Sequence, residues 1–219
     1  LPNLGTVRLR LSGKGEDETK LKQEVQKRVE QLFEILQGNI SVEQDEDEKI
    51  VVQINKILTK RKQTLSSAES CTGGALSAAF TTHPGASSSF KGGIVTYATS
   101  SKSEVLKVPE DIIEEHSVVS AQVAEKMAEN ARMMFQTDYS LSTTGNAGPT
   151  KGDSEAEVGT VFIGLATPEG TSSRKFLFGN NRDQVVASAV NKAFEMILKE
   201  ITEGKDGSRG KRGRKRRGR

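Results

Sequence analysis

Ser67-Ala68-Glu69-Ser70-Cys71-Thr72-Gly73-Gly74 is the stretch from which this chain is read. Gln63 to Ser67 before it reads as the tail of a short strand, and the small residues from Gly74 to Thr82 suit a helix that stops at His83-Pro84-Gly85. Strand, tight polar turn and helix in that order present a hydroxyl at a strand end. The first amides of such a helix lack internal acceptors and suit an anion or an oxyanion, and Gly73 and Gly74 let a ligand approach the backbone. A plainer role fits the same residues, with Ser70 and Thr72 capping the helix.

Downstream, strands and helices alternate. Gly92-Gly93 precede a short apolar strand, Ile94-Val95-Thr96-Tyr97, and Ser101 to Leu106 predicts one or two turns of helix. Ser120 is placed to cap a helix in which Val123, Met127, Ala131 and Met134 share a buried face, the methionines acting as core filling. Tyr139 to Thr143 reads as a strand that ends in a second glycine-rich turn, Thr144-Gly145-Asn146-Ala147-Gly148-Pro149. Thr160 to Thr167 and Ser172 to Phe178 approach a hairpin across Pro168-Glu169-Gly170, and a last helix runs from Arg182 to Ile201. This order predicts an α/β fold, a three-layer αβα sandwich with a mixed sheet. Ligands of such sheets bind outside the carboxyl ends of the strands, which is where Ser70 to Gly74, Tyr97 to Lys102 and Thr144 to Pro149 all fall.

Upstream, Thr6 to Ser12 alternates Val7, Leu9 and Leu11 with arginines, as a half-buried strand does. Asp17 then opens a helix with the stripe Leu21, Val25, Val29, Leu32, Phe33 and Leu36, and Ile40-Ser41-Val42 reads as a second strand. This small β-α-β fragment takes residues 1–46, with a hinge in the acidic stretch Glu43 to Glu48. The main domain covers 47–202, and its first helix, through Ile50, Val51, Ile54, Ile57 and Leu58, delivers the chain to the opening strand.

Composition narrows the function classes. With 219 residues, 34% of them hydrophobic, the chain supports one good core and a small accessory unit. Neither a run of eighteen apolar residues nor a secretory leader pattern is present, so a soluble, cytoplasmic protein is expected. Cys71 is the single cysteine and forbids an internal disulfide; with two histidines it is poor material for zinc, and no metal or cofactor is expected. The net charge of +3 is unevenly placed: residues 203–219 hold nine Lys/Arg against Glu203 and Asp206, a net of +7, which leaves the remainder at −4. That tail is of low complexity and is expected to be disordered, with only nonspecific affinity for nucleic acid.

Several motifs in register resemble one family. Ala68-Glu69-Ser70-Cys71-Thr72-Gly73-Gly74, Pro84-Gly85-Ala86-Ser87, Gly93-Ile94-Val95-Thr96-Tyr97, Lys102, Val119-Ser120, Thr144 to Pro149 and Val158-Gly159-Thr160-Val161 together resemble the C-terminal domain of the competence/damage-inducible protein CinA. The resemblance covers about Gln63 to Ile201. Leu1 to Val42 is similar to the later part of the KH-like domain that precedes it in full-length members, so the chain resembles a fragment. Its Ser12-Gly13-Lys14-Gly15 departs from the Gly-x-x-Gly clamp of nucleic-acid-binding KH modules.

The resemblance implies hydrolysis of the carboxamide of nicotinamide mononucleotide to nicotinic acid mononucleotide and ammonia, and a homodimer. A carboxamide resists water at neutral pH, so a nucleophile, a base and an oxyanion site are wanted. Ser70 is the expected nucleophile, with Cys71 as a rival because thiolates attack well. His83 lies in a turn and His116 in a charged loop, neither within a motif. Lys102 resembles the family's catalytic lysine, which works as a base once burial or a neighbouring cation lowers its pKa; read alone, it is an ordinary surface lysine. Tyr97 resembles the family tyrosine that relays the proton or holds the amine. The amides of Cys71, Thr72, Gly73 and Gly74 are candidates for the oxyanion site. Thr144, Gly145, Asn146, Ala147, Gly148, Pro149 and Arg182 are candidates for the ribose phosphate, with Arg182 equally readable as an ordinary helix start. Glu69 reads as a brace for the turn. Two other functions remain open at this stage, a non-catalytic nucleotide-binding module and a nucleic-acid adaptor.

Overall fold

The computed structural model describes residues 11, 13–15, 17–35 and 50–203. The strands expected at 6–12 and 40–42, the hinge at 43–48 and the tail beyond Glu203 lie outside the described residues, except Leu11, which is described and is not in a strand. The helix between those strands is present as α1 (Glu18–Ile35). Asp17 caps it: Oδ1 accepts from the amides of Thr19 and Lys20, each at 3.0 Å.

The main domain opens with α2 (Ile50–Arg61) and continues through β1 (Leu65–Glu69), α3 (Ala75–Thr81), a 3-10 turn (Ala86–Ser88) and β2 (Phe90–Val95). Then come α4 (Thr99–Glu104), α5 (Glu110–His116), α6 (Ala121–Phe135), β3 (Tyr139–Gly145), β4 (Thr160–Ala166), β5 (Thr171–Leu177) and α7 (Arg182–Glu203). The sheet order is β2-β1-β3-β4-β5. β1 runs parallel to both β2 and β3, and β4 and β5 follow antiparallel, so the sheet is mixed.

The two faces of the sheet differ in residue size, and that difference sorts the helices. Leu65, Leu141, Val161, Ile163 and Leu165 project on one side into a large core with Ile54 and Leu58 of α2, Leu76 and Phe80 of α3, and Val185, Ala189, Phe194 and Ile197 of α7. Ser66, Ala68, Ser142 and Gly164 face α6 on the other side, where the small residues let the helix lie close. The Ser142 hydroxyl donates to the Ala124 carbonyl at 2.5 Å, and Ala68 joins Val123, Met127, Ala131, Leu106 and Val108 in a smaller core. The expected three-layer αβα sandwich is therefore the observed fold.

Element boundaries moved where local pattern was weak. β2 starts at Phe90, ahead of the glycines, because Gly92 and Gly93 pair with Ser66 and Ser67 of β1. Residues 110–116 form α5, so His116 ends a helix and does not lie in a loop. Ser120 caps α6 as expected, accepting from the Val123 amide at 3.2 Å. Met127 is buried in the core, but Met134 is 46% exposed, while Phe135 of the same last turn lies against Gly92 of β2.

The close approach of α6 makes a stability prediction. A Cβ on Gly164 would sit 2.4 Å from the Ala124 carbonyl oxygen and 2.4 Å from Ser142 Oγ. Gly164→Ala is expected to cost about 1–3 kcal/mol through overpacking, measured as a lower urea midpoint at unchanged m-value.

Candidate active site

The ends of the three parallel strands build one site. Glu69 of β1 is in register with Val95 of β2 and Thr143 of β3, so the residues just beyond them lie side by side. The Ser70 amide donates to the Thr143 carbonyl at 2.9 Å, and the chain then turns, the Gly73 amide reaching the Ser70 carbonyl at 3.0 Å. Gly73 and Gly74 have φ of 60° and 100°, which a residue with a Cβ adopts only at a cost.

Glu69 is fully buried and its carboxylate fastens the turn. Oε2 accepts from Thr72 Oγ1 at 2.7 Å and from the amides of Gly74 at 2.9 Å and Leu76 at 3.0 Å. Oε1 accepts from the Ser77 amide at 2.8 Å and from Ser77 Oγ at 2.6 Å. This corrects the expectation for the oxyanion amides. Gly74 donates to Glu69 and Gly73 to Ser70, so among the described hydrogen bonds the turn keeps the amides of Cys71 and Thr72 uncommitted to another residue.

Lys102 lies in α4, just beyond β2, and is only 1% exposed. Its Nζ stands 2.9 Å from Ser70 Oγ, 2.9 Å from the Thr96 carbonyl and 3.2 Å from the Tyr97 carbonyl. Peptide oxygens only accept hydrogen bonds, so they take two of the amine's hydrogens. In the neutral amine the remaining direction, toward Ser70 Oγ, is the lone pair. Burial is the first cause that lowers the Lys102 pKa from 10.5 to about 8, partly opposed by Cys71 and Asp153. Burial likewise pushes the Cys71 thiol up to about 12, so at neutral pH it is protonated and a poor nucleophile.

The remaining candidates divide. Tyr97, expected to relay the proton or hold the amine, meets the amine through its main-chain carbonyl; the residue is 57% exposed and its phenol accepts from Arg182 Nη2 at 2.6 Å, so the side chain is turned to Arg182 and not to Lys102. Arg182 Nη1 donates to the Gly148 carbonyl at 2.7 Å, so the start of α7 is tied to the Thr144 to Pro149 turn. The turn is expected to hold an anion through its amides, and two of these are already engaged within the protein, Asn146 by the Thr160 carbonyl at 2.8 Å and Gly148 by Asn146 Oδ1 at 3.3 Å; the polar side chains are engaged as well. Thr144 Oγ1 donates to the Val118 carbonyl at 2.7 Å. Asn146 Nδ2 donates to the carbonyls of Lys151 at 2.8 Å and Ala156 at 3.1 Å, while its Oδ1 accepts from the Gly148 amide at 3.3 Å. Both are buried braces of the loop; Gly145 lies between them, and Ala147, Gly148 and Pro149 follow. Sequence reasoning missed Thr143, whose hydroxyl pairs with Thr72 Oγ1 at 2.7 Å; its strand-end position opposite Glu69 was the available signal. It also missed Thr96, which acts through a carbonyl and leaves no side-chain signature.

A groove of about 450 Å³ opens beside this cluster between α3 and α7, lined by Ala75, Arg182, Val186 and Val190 among others. Neither histidine belongs to the site. His83 lines a separate groove with Phe90 and Lys91 at the start of β2, and His116 contacts Glu115 at 3.7 Å. No group of three or more His, Cys, Asp or Glu among the described residues is arranged to hold a metal ion. Nor is any described helix long and apolar enough to cross a membrane.

Fold and site together define a three-layer α/β domain with a buried serine–lysine pair at the ends of its parallel strands. The model of the CinA C-terminal domain matches residues 47–201, and the chain belongs to that family. A CinA-like protein of Flavobacterium psychrophilum is 51% identical over 201 residues, covering 92% of this chain and 48% of that protein. A CinA-like protein of Prochlorococcus marinus is 39% identical over 204 residues, covering 90% of this chain and 46% of that one. The chain thus spans a little under half the length of these curated relatives. Among solved structures, the competence damage-inducible protein A of Klebsiella pneumoniae superposes with a TM-score of 0.68 at 27% identity, over 71% of this chain and 96% of that one. The competence/damage inducible protein of Agrobacterium tumefaciens gives 0.67 at 28% identity, over 74% and 99%.

The lowered Lys102 pKa makes stability depend on pH. Between about 8 and 10.5 the unfolded chain holds this proton and the folded chain releases it, so stability rises with pH across that window. Urea midpoints are expected to climb there in the parent relative to Lys102→Met, which has no proton to lose.

Proposed function

We propose that this domain hydrolyses the carboxamide of nicotinamide mononucleotide, giving nicotinic acid mononucleotide and ammonia, with Ser70 as nucleophile and Lys102 as base. The observation that carries the reading is the 2.9 Å contact between Lys102 Nζ and Ser70 Oγ in a buried site whose carbonyls orient the amine. The neutral amine takes the Ser70 proton as Oγ attacks the carboxamide carbon. The resulting oxyanion is stabilised by the amides of Cys71 and Thr72, which no other residue takes among the described hydrogen bonds. Lys102, now protonated, passes the proton to the departing nitrogen as the C–N bond breaks; ammonia leaves and the acyl group remains as an ester on Ser70 Oγ. Water then adds to the ester carbonyl as Lys102 accepts one of its protons, Lys102 returns that proton to Ser70 Oγ as the ester C–O bond breaks, and the acid product departs as carboxylate with its own proton released to solvent.

Arg182 supports the substrate assignment. Two of the five guanidinium N–H groups are engaged by Gly148 and Tyr97, which leaves three to meet a phosphate. The helix-start amides, by contrast, are occupied by Glu69 and do not offer an anion site. Absence of histidine is no obstacle, since the dyad follows the logic of serine hydrolases that replace imidazole with lysine.

The test is ammonia release from nicotinamide mononucleotide. Ser70→Ala and Lys102→Met are each expected to lower kcat by roughly 10⁴-fold or more, and Cys71→Ser to stay within about threefold of the parent. In the parent, kcat/KM is expected to rise as pH increases through about 8, because only the neutral amine accepts the serine proton. Full activity in Ser70→Ala refutes the serine mechanism.

A further inference from the structure

We propose that Glu69 is a positioning residue for catalysis, a buried carboxylate that locks both flanks of the Ser70 turn and so holds the amides of Cys71 and Thr72 where an oxyanion forms. The inference rests on the hydrolase reading of the site.

An ordinary helix cap does not account for this residue. A capping side chain usually sits at the first position of the helix and satisfies one or two nearby amides. Glu69 instead ends β1, and its partners lie three, five, seven and eight residues ahead, at Thr72, Gly74, Leu76 and Ser77. The contacts therefore span the whole turn and tie a strand end directly to the first turn of α3. Burying a carboxylate is costly unless its lone pairs are filled; here five donors fill them, and among the described residues no cation forms a salt bridge with it.

A second anchor acts from β3. The Thr143 carbonyl holds the Ser70 amide, and the Thr143 hydroxyl lies 2.7 Å from Thr72 Oγ1. Because the single Thr72 hydrogen goes to Glu69, Thr143 is the donor to Thr72. Ser70 and Thr72 are thus fixed at their amide and hydroxyl respectively. The amides of Cys71 and Thr72 lie between these fixed points. An oxyanion site depends on donors that are already in place when charge develops, and this framework supplies that rigidity with no atom of its own touching the substrate.

The test compares Glu69→Gln with the parent enzyme. Gln turns one acceptor oxygen into a donor that faces either Ser77 or the Thr72, Gly74 and Leu76 set, so the turn loosens while side-chain size is kept. We expect kcat for nicotinamide mononucleotide to fall about 10²-fold or more, as when an oxyanion donor is lost, with KM within about threefold. Affinity for the 3-carboxaldehyde analogue of the nucleotide, which forms an oxyanion adduct with Ser70, should fall in parallel. Affinity for the product, nicotinic acid mononucleotide, should change less than about threefold, a split that a merely structural role does not produce. Thr72→Val removes one donor to the carboxylate and should lose kcat in the same way, with Thr72→Ser restoring most of it; this pair carries the test if Glu69→Gln fails to fold. A folded Glu69→Gln that keeps kcat within threefold, or that loses aldehyde and product affinity equally, overturns the proposal while the parent still releases ammonia. A parent that releases none overturns the hydrolase reading and this inference together.

Discussion

A lysine amine buried without a carboxylate in contact is the constraint on which this end of the molecule depends. Lys102 meets two peptide carbonyls and a serine hydroxyl, and no described acidic side chain bonds it. Those carbonyls belong to Thr96 and Tyr97, so β2 must end there and α4 must turn back at once to return the amine to them. Ser70 is within reach because β1 and β2 are hydrogen-bonded neighbours in parallel register. One strand pairing thus brings together groups separated by 32 residues.

Two buried ionisable groups share this edge of the sheet, and they are satisfied separately. Glu69 is surrounded by helix and turn donors, Lys102 by acceptors. An ion pair between them would favour the charged amine and raise its pKa. With the carboxylate absorbed by the start of α3, burial instead dominates at Lys102 and brings the amine toward neutrality near pH 8. The brace and the base are therefore linked through what each is denied.

Much of this architecture is visible in the chain as written. Alternating strand and helix signals, the Ser120 cap and the long stripe of α7 depend on neighbours close in sequence, and they appear where expected. α5 escaped notice because Glu110–His116 has no buried residue and hence no strong apolar period. Met134 is exposed because spacing along a helix does not show which residue of its last turn faces the sheet, and here Phe135 takes the place over Gly92. The Thr144 to Pro149 turn reads as an anion site because amides in a glycine-rich turn look alike whether they face a ligand or, like those of Asn146 and Gly148, bond the protein itself.

Propensity, period and spacing are enough to read the α/β alternation and the polar turn after β1 from the chain, whereas Lys102 and Tyr97 stand out only through motifs that resemble the CinA family, since nothing local separates Lys102 from a surface lysine. The tertiary structure alone decided which side chains meet and in what state of charge. That Lys102 is buried against Ser70, that Cys71 keeps its proton, and that Glu69 consumes the amides of the helix start all depend on burial and on partners from distant segments, quantities no single stretch of chain contains.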